Sequence, residues 1–87
     1  MTSAYTKLVS IITPVYNAED TISRCINSVL SQSYDHWEML IIDDCSGDRS
    51  LQIISQIADT DDRIKIIKLE SNSGAAEARN TGIKYSN

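Results

Sequence analysis

Three short apolar runs alternate with stretches of helical period, and this alternation leaves the chain very few folds. Leu8 to Thr13 (LVSIIT), Trp37 to Ile42 (WEMLII) and Ile64 to Leu69 (IKIIKL) each read as a buried strand. Pro14 is expected to end the first of them. Between the first two runs, Ile22, Cys25, Ile26, Val29 and Leu30 recur at helical spacing and form one apolar face. All five are expected in the core. Asn17 stands where a cap would, with Glu19 and Asp20 suiting the positive end of that helix. Leu51, Ile54 and Ala58, beside Ile53 and Ile57, mark a second helix behind the polar cluster Asp43-Asp44-Cys45-Ser46-Gly47-Asp48. Ser73 or Gly74 opens a third helix that runs to about Tyr85. Its Ala75, Ala76, Ala78 and Gly82 are small enough for close packing. The order β-α-β-α-β-α implies an α/β fold of three α/β/α layers, with a Rossmann-like parallel sheet at the centre.

Composition narrows the function. The chain has 87 residues, 41% hydrophobic and 23% charged, which suits one small globular domain. A net charge of −4 argues against a nucleic-acid partner. Two cysteines are too few for a disulfide scaffold. No apolar run approaches the ~20 residues of a membrane span, and residues 1–7 carry no signal-peptide core and read as a flexible N-terminus. The expected location is cytoplasmic, with the inner face of the membrane as an alternative. A first strand at the sheet edge would leave Val9 to Ile12 uncovered, an invitation to self-association. The chain is therefore expected to be part of something larger.

In open α/β sheets, ligands bind beyond the carboxyl ends of the strands. Here those ends are Thr13-Pro14-Val15-Tyr16-Asn17, Asp43-Asp44-Cys45-Ser46 and Glu70-Ser71-Asn72-Ser73-Gly74. Thirty residues separate Thr13 from Asp43, one βαβ unit. At the end of the second strand, Asp43 or Asp44 is placed to take ribose hydroxyls or a base N–H. The first loop has no glycine, so the backbone cradle for a pyrophosphate is missing. Arg79 is the best-placed basic group.

Val9 to Glu19 (VSIITPVYNAE), Ile26 to Tyr34 (INSVLSQSY) with Trp37-Glu38, Leu40 to Ser46 (LIIDDCS) and Asn72 to Gly82 (NSGAAEARNTG) together resemble the family-two glycosyltransferases of the GT-A fold. The likeness runs from Leu8 onward, which makes residues 8–87 the N-terminal donor-binding part of such a domain. It implies a nucleotide-diphosphate sugar, often a uridine one, as ligand. By the same likeness Thr13, Pro14 and Tyr16 pack around base and ribose, with Glu19 near. Asp44 accepts the base N–H with Asp43 in support, and Asn72, Gly74 and Arg79 line the third side. In the family a D-x-D motif holding Mg2+ or Mn2+ follows a further strand, and the catalytic base lies later. Neither stands at such a place in this sequence, so the piece is expected to be inactive alone. The whole enzyme would transfer a sugar, with inversion, to a saccharide or lipid-linked acceptor.

Plainer readings stand beside these. Asp43 and Asp44 are equally placed to cap the second helix. Tyr16 could pack on the first helix, Glu19 could serve only its dipole, and Arg79 could pair with Glu77 or Glu70. His36 has no second zinc ligand nearby. A signalling receiver domain is disfavoured, because its acid pair would follow the first strand. A non-catalytic nucleotide-binding or interaction module remains open.

Overall fold

The computed structural model describes residues 7–86; residues 1–6 of the proposed N-terminal tail lie outside them. The elements run β1 (Val9–Val15), α1 (Ile22–Leu30), β2 (Trp37–Asp43), α2 (Ser50–Ala58), β3 (Ile64–Lys68) and α3 (Ala75–Tyr85). The three strands are parallel in the order β1-β2-β3. Every residue of β2 is buried, which explains why Trp37 to Ile42 is apolar at almost every position instead of alternating.

The pleat divides the core in two. Trp37, Met39 and Ile41 face α1 and α2, where they meet Ile22, Ile26 and Ile54. Leu40 and Ile42 face α3, where they meet Ala78. These are the three layers expected. Each such side chain, fully buried, is worth about 1.5–3 kcal/mol.

Pro14 does not end β1; it lies inside the strand, opposite Ile42. Val9 N–H donates to the His36 carbonyl and Asp44 N–H to the Val15 carbonyl, so the odd residues of β1 point their polar groups at β2. Pro14 falls between them and faces the side where no strand pairs among the described residues. Its missing N–H therefore costs no ladder bond.

Two further expectations are corrected at α1. The helix starts at Ile22 behind Thr21, and Asn17 does not cap it. Cys25, expected in the core, is exposed. It lies at the margin of a stripe whose centre is Ile22 and Ile26, so the apolar face is narrower than the sequence pattern suggested.

Gly82 marks a close approach of α3 to the sheet. A Cβ there would lie 2.4 Å from Ile12 Cγ2 and 3.2 Å from Ile42 Cδ1. At the other end of the sheet Arg63 lies over Trp37, its Cζ 3.9 Å from the ring centroid. Its guanidinium donates to Asp61 and to the Asp35 carbonyl, locking the start of β3 to the start of β2.

Gly82→Ala is expected to destabilise the domain by about 1–3 kcal/mol, because overpacking exceeds the gain in helix propensity. A raised urea midpoint would contradict that contact. The side-chain and backbone hydrogen bonds from Arg63 hold the Asp61 carboxyl down at about 2, against an ordinary value of 3.8. The stabilisation is therefore complete above 3.8 and is lost as pH falls towards 2. Asp61→Asn should flatten the pH dependence of stability within that window and nowhere else. An unchanged acid profile by circular dichroism would show that the pair adds nothing.

Candidate functional site

The carboxyl ends of all three strands open on one rim, and two adjacent carboxylates organise it. Asp43 is the last residue of β2 and Asp44 follows it. Both are buried. A buried carboxylate needs donors, and the pleat gives the two different ones.

Asp43 turns to the α1/α2 side. Its Oδ1 accepts from Ser46 Oγ at 2.6 Å and its Oδ2 from Ser46 N–H at 3.2 Å. The chain doubles back to allow this, with Cys45 left-handed at φ 59°. Asp44 reaches the β3–α3 loop instead. Its Oδ1 accepts from Ser73 N–H at 2.7 Å and its Oδ2 from Gly74 N–H at 2.8 Å. Asn72 Nδ2 adds a bond to the Asp44 carbonyl at 3.3 Å. Neither carboxylate caps α2; Asp48 takes the Ser50 N–H there.

Gly74 is required by conformation and not by space. Its φ is 92° and its ψ 159°, a region open essentially to glycine alone, yet a Cβ would meet nothing within 4 Å. That geometry aims the Gly74 N–H at Asp44 while its carbonyl accepts the first bond of α3, from Ala78.

A cleft of about 70 Å3 opens between these loops, lined by Pro14, Val15, Tyr16, Asp44 and Ala75. Tyr16 is 54% exposed, and no residue of α1 lines the cleft beside it. A larger apolar depression of about 370 Å3 lies between Val9, Ile11, Val29 and Trp37. It sits towards the amino ends of the strands and carries no charged group, so the smaller cleft has the chemistry.

The nine residues singled out in the sequence thus divide. Pro14, Tyr16 and Asp44 share the cleft. Asn72 and Gly74 are tied to Asp44 at its border. Arg79, one turn into α3, is exposed and forms no ion pair with Glu77 or Glu70. Thr13 lies in β1 outside the cleft lining. Asp43 is turned away from the cleft to Ser46. Glu19 serves α2 and not α1: its Oε1 accepts from Arg49 N–H at 3.0 Å.

Sequence reasoning assigned no site role to Val15 and Ala75, which line the cleft, or to Ser46, Asp48 and Ser50, which bind the two rim loops together. Ser46 Oγ accepts from Asn17 N–H, Ser50 Oγ from Ala18 N–H and Asp48 Oδ2 from Glu19 N–H. Gly47 N–H returns to Asn17 Oδ1. The only trace in the sequence is a short acceptor at every second position from 46 to 50. Burial raises the Asp48 carboxyl, but the hydroxyl and backbone N–H of Ser50 and the N–H of Glu19 outweigh it and hold the group below its ordinary range.

No three His, Cys, Asp or Glu side chains converge among the described residues. Asp43 and Asp44 do not fit a shared cation, since they face opposite sides of the sheet and already accept two donors each.

Comparison with known proteins gives the family. Bacillus subtilis TuaG, named for teichuronic acid biosynthesis, is 53% identical over 77 residues, which are 88% of this chain and 31% of that protein. An Escherichia coli glucosyltransferase, WfgD, named for transfer from UDP-Glc to α-D-GlcNAc-diphosphoundecaprenol, is 51% identical over 90% of this chain and 30% of its own. The chain thus spans about a third of the length of these curated relatives. The crystal structure of Staphylococcus aureus TarS 1-349 in complex with UDP-GlcNAc superposes with a TM-score of 0.85 at 34% identity, over 93% of this chain and 24% of that one. The family described as glycosyl transferase family 2 matches residues 10–87. With its parallel sheet of GT-A type and its rim of paired carboxylates, the chain belongs to glycosyl transferase family 2.

Proposed function

We propose that this chain binds the nucleoside end of a nucleotide-diphosphate sugar, with UDP as the nucleotide, for an enzyme that passes the sugar to an acceptor hydroxyl with inversion. The observation that carries this reading is the meeting of Tyr16, Pro14 and Asp44 in one cleft at the carboxyl rim. An exposed aromatic ring offers a stacking face for a base. A buried carboxylate offers only acceptors, which suits the N–H edge of a pyrimidine. The two backbone donors on Asp44 use one site on each oxygen, and a carboxylate has about four. Arg79 stands free on α3 to meet base or phosphate.

The relatives support the donor class. WfgD is named for UDP-Glc, and TarS was crystallised with UDP-GlcNAc. A saccharide or lipid-linked acceptor belongs to the same proposal, as does self-association of the isolated chain through the open edge of β1. No helix of the described residues is long and apolar enough to cross a membrane. Mg2+ or Mn2+ and the base that deprotonates the acceptor are assigned to residues outside this chain, because the acids here do not fit a cation. What these residues do is bind and orient the nucleoside.

Tyr16→Ala is expected to weaken UDP binding by about 1–3 kcal/mol through lost stacking. Asp44→Ala should cost about as much through the lost acceptor, and also some stability, because Ser73 and Gly74 lose theirs. Isothermal titration of UDP onto both variants reads the affinities, and thermal unfolding separates the two effects of Asp44. Isotherms identical to wild type for both variants would defeat the assignment.

A further inference from the structure

Tyr16 is the first residue beyond β1, and the loop that carries it has no ladder of its own. Asn17 is left-handed at φ 49°, and no helix begins before Ile22. The conformation is held from outside, by the loop thirty residues further on. Three consecutive amides, those of Asn17, Ala18 and Glu19, donate to Ser46 Oγ at 3.0 Å, Ser50 Oγ at 2.7 Å and Asp48 Oδ2 at 3.1 Å. The amides of Gly47 and Arg49 answer with bonds of 2.8 and 3.0 Å to Asn17 Oδ1 and Glu19 Oε1. Donors and acceptors interleave like a zipper.

Asp48 is its centre. One oxygen receives Glu19 N–H. The other receives both the backbone N–H and the hydroxyl of Ser50, at 2.9 and 2.6 Å. Because the Ser50 hydroxyl donates to Asp48, its lone pairs are left for Ala18 N–H. Asp48 thus governs two of the three amides directly after Tyr16, yet it does not line the cleft.

We propose that Asp48 is a positioning residue for Tyr16, holding the β1–α1 loop in the conformation in which the ring walls the cleft, and so setting donor affinity without touching the donor. The proposal rests on the nucleotide-binding reading of that cleft. Its physical basis is entropic. A loop already fixed does not have to be ordered when the ligand arrives, whereas a released one does.

A double-mutant cycle in the full-length protein tests it, with UDP as the probe and dissociation constants from calorimetric titration. Asp48→Asn keeps an acceptor oxygen for Ser50 and turns an amide donor towards Glu19 N–H. It is expected to weaken UDP binding about fivefold while Tyr16 is present. In the Tyr16→Ala background the same change should cost less than about twofold, although thermal unfolding shows the same stability loss in both backgrounds. Ser50→Ala removes the acceptor for Ala18 and one donor to Asp48, leaves the Asp48–Glu19 bond in place, and should reproduce the pattern; it stands in if Asp48→Asn fails to fold. Equal weakening with and without Tyr16, or no weakening with Tyr16 present, overturns the proposal and leaves the nucleotide site standing. If Tyr16→Ala and Asp44→Ala both bind UDP as wild type does, the site reading falls and takes the inference with it.

Discussion

A carboxylate removed from water must find hydrogen-bond donors, and the rim of this domain is built around two that do. Asp43 ends the one strand that is buried along its whole length, and Asp44 follows it. Neighbouring residues on a strand point to opposite faces, so each acid recruits a different loop. Asp43 folds the β2–α2 loop onto itself through Ser46, and Ser46 passes the constraint to Asn17. Asp44 draws in the β3–α3 loop through Ser73 and Gly74. Three loops with no regular structure of their own thereby become a fixed surface.

That arrangement accounts for the division of labour at the site. Asp43, Asp44 and Ser50, which build the rim, are buried and hydrogen-bonded. The side chains proposed to meet a ligand, Tyr16 and Arg79, are exposed and held only through their backbone or helix. Asp44 is proposed to do both, since its oxygens retain acceptor capacity after meeting two amides. The lack of a glycine-rich turn after β1 fits the proposed mode of binding, in which side chains and not a backbone cradle meet the nucleotide.

Much of this was legible in the sequence, for local reasons. The three strands stand out because β-branched runs have no helical period, and the rim follows from strand order alone. Glycine at 74 and 82 announced the tight start and the close face of α3. Other features depended on partners the sequence does not mark. Pro14 stays in β1 because its nitrogen faces an open edge, which only the ladder phase reveals. Cys25 fits the apolar spacing of α1 yet lies beyond the buried stripe. Asn17 and Glu19 have the chemistry of a helix start, but their side chains meet Gly47 and Arg49 across thirty residues of chain. Contacts at that separation are not marked locally, and the alternating acceptors at 46, 48 and 50 do not say which amides they meet.

The most direct test of the central claim is a map of backbone amide shifts as UDP is titrated into the 15N-labelled protein. The account predicts that the largest changes fall on Tyr16, Asp44, Ser73, Gly74 and Ala75, around the α3 side of the rim. Shifts concentrated instead on Val9, Ile11, Val29 and Trp37, in the apolar depression at the other end of β1, would contradict it.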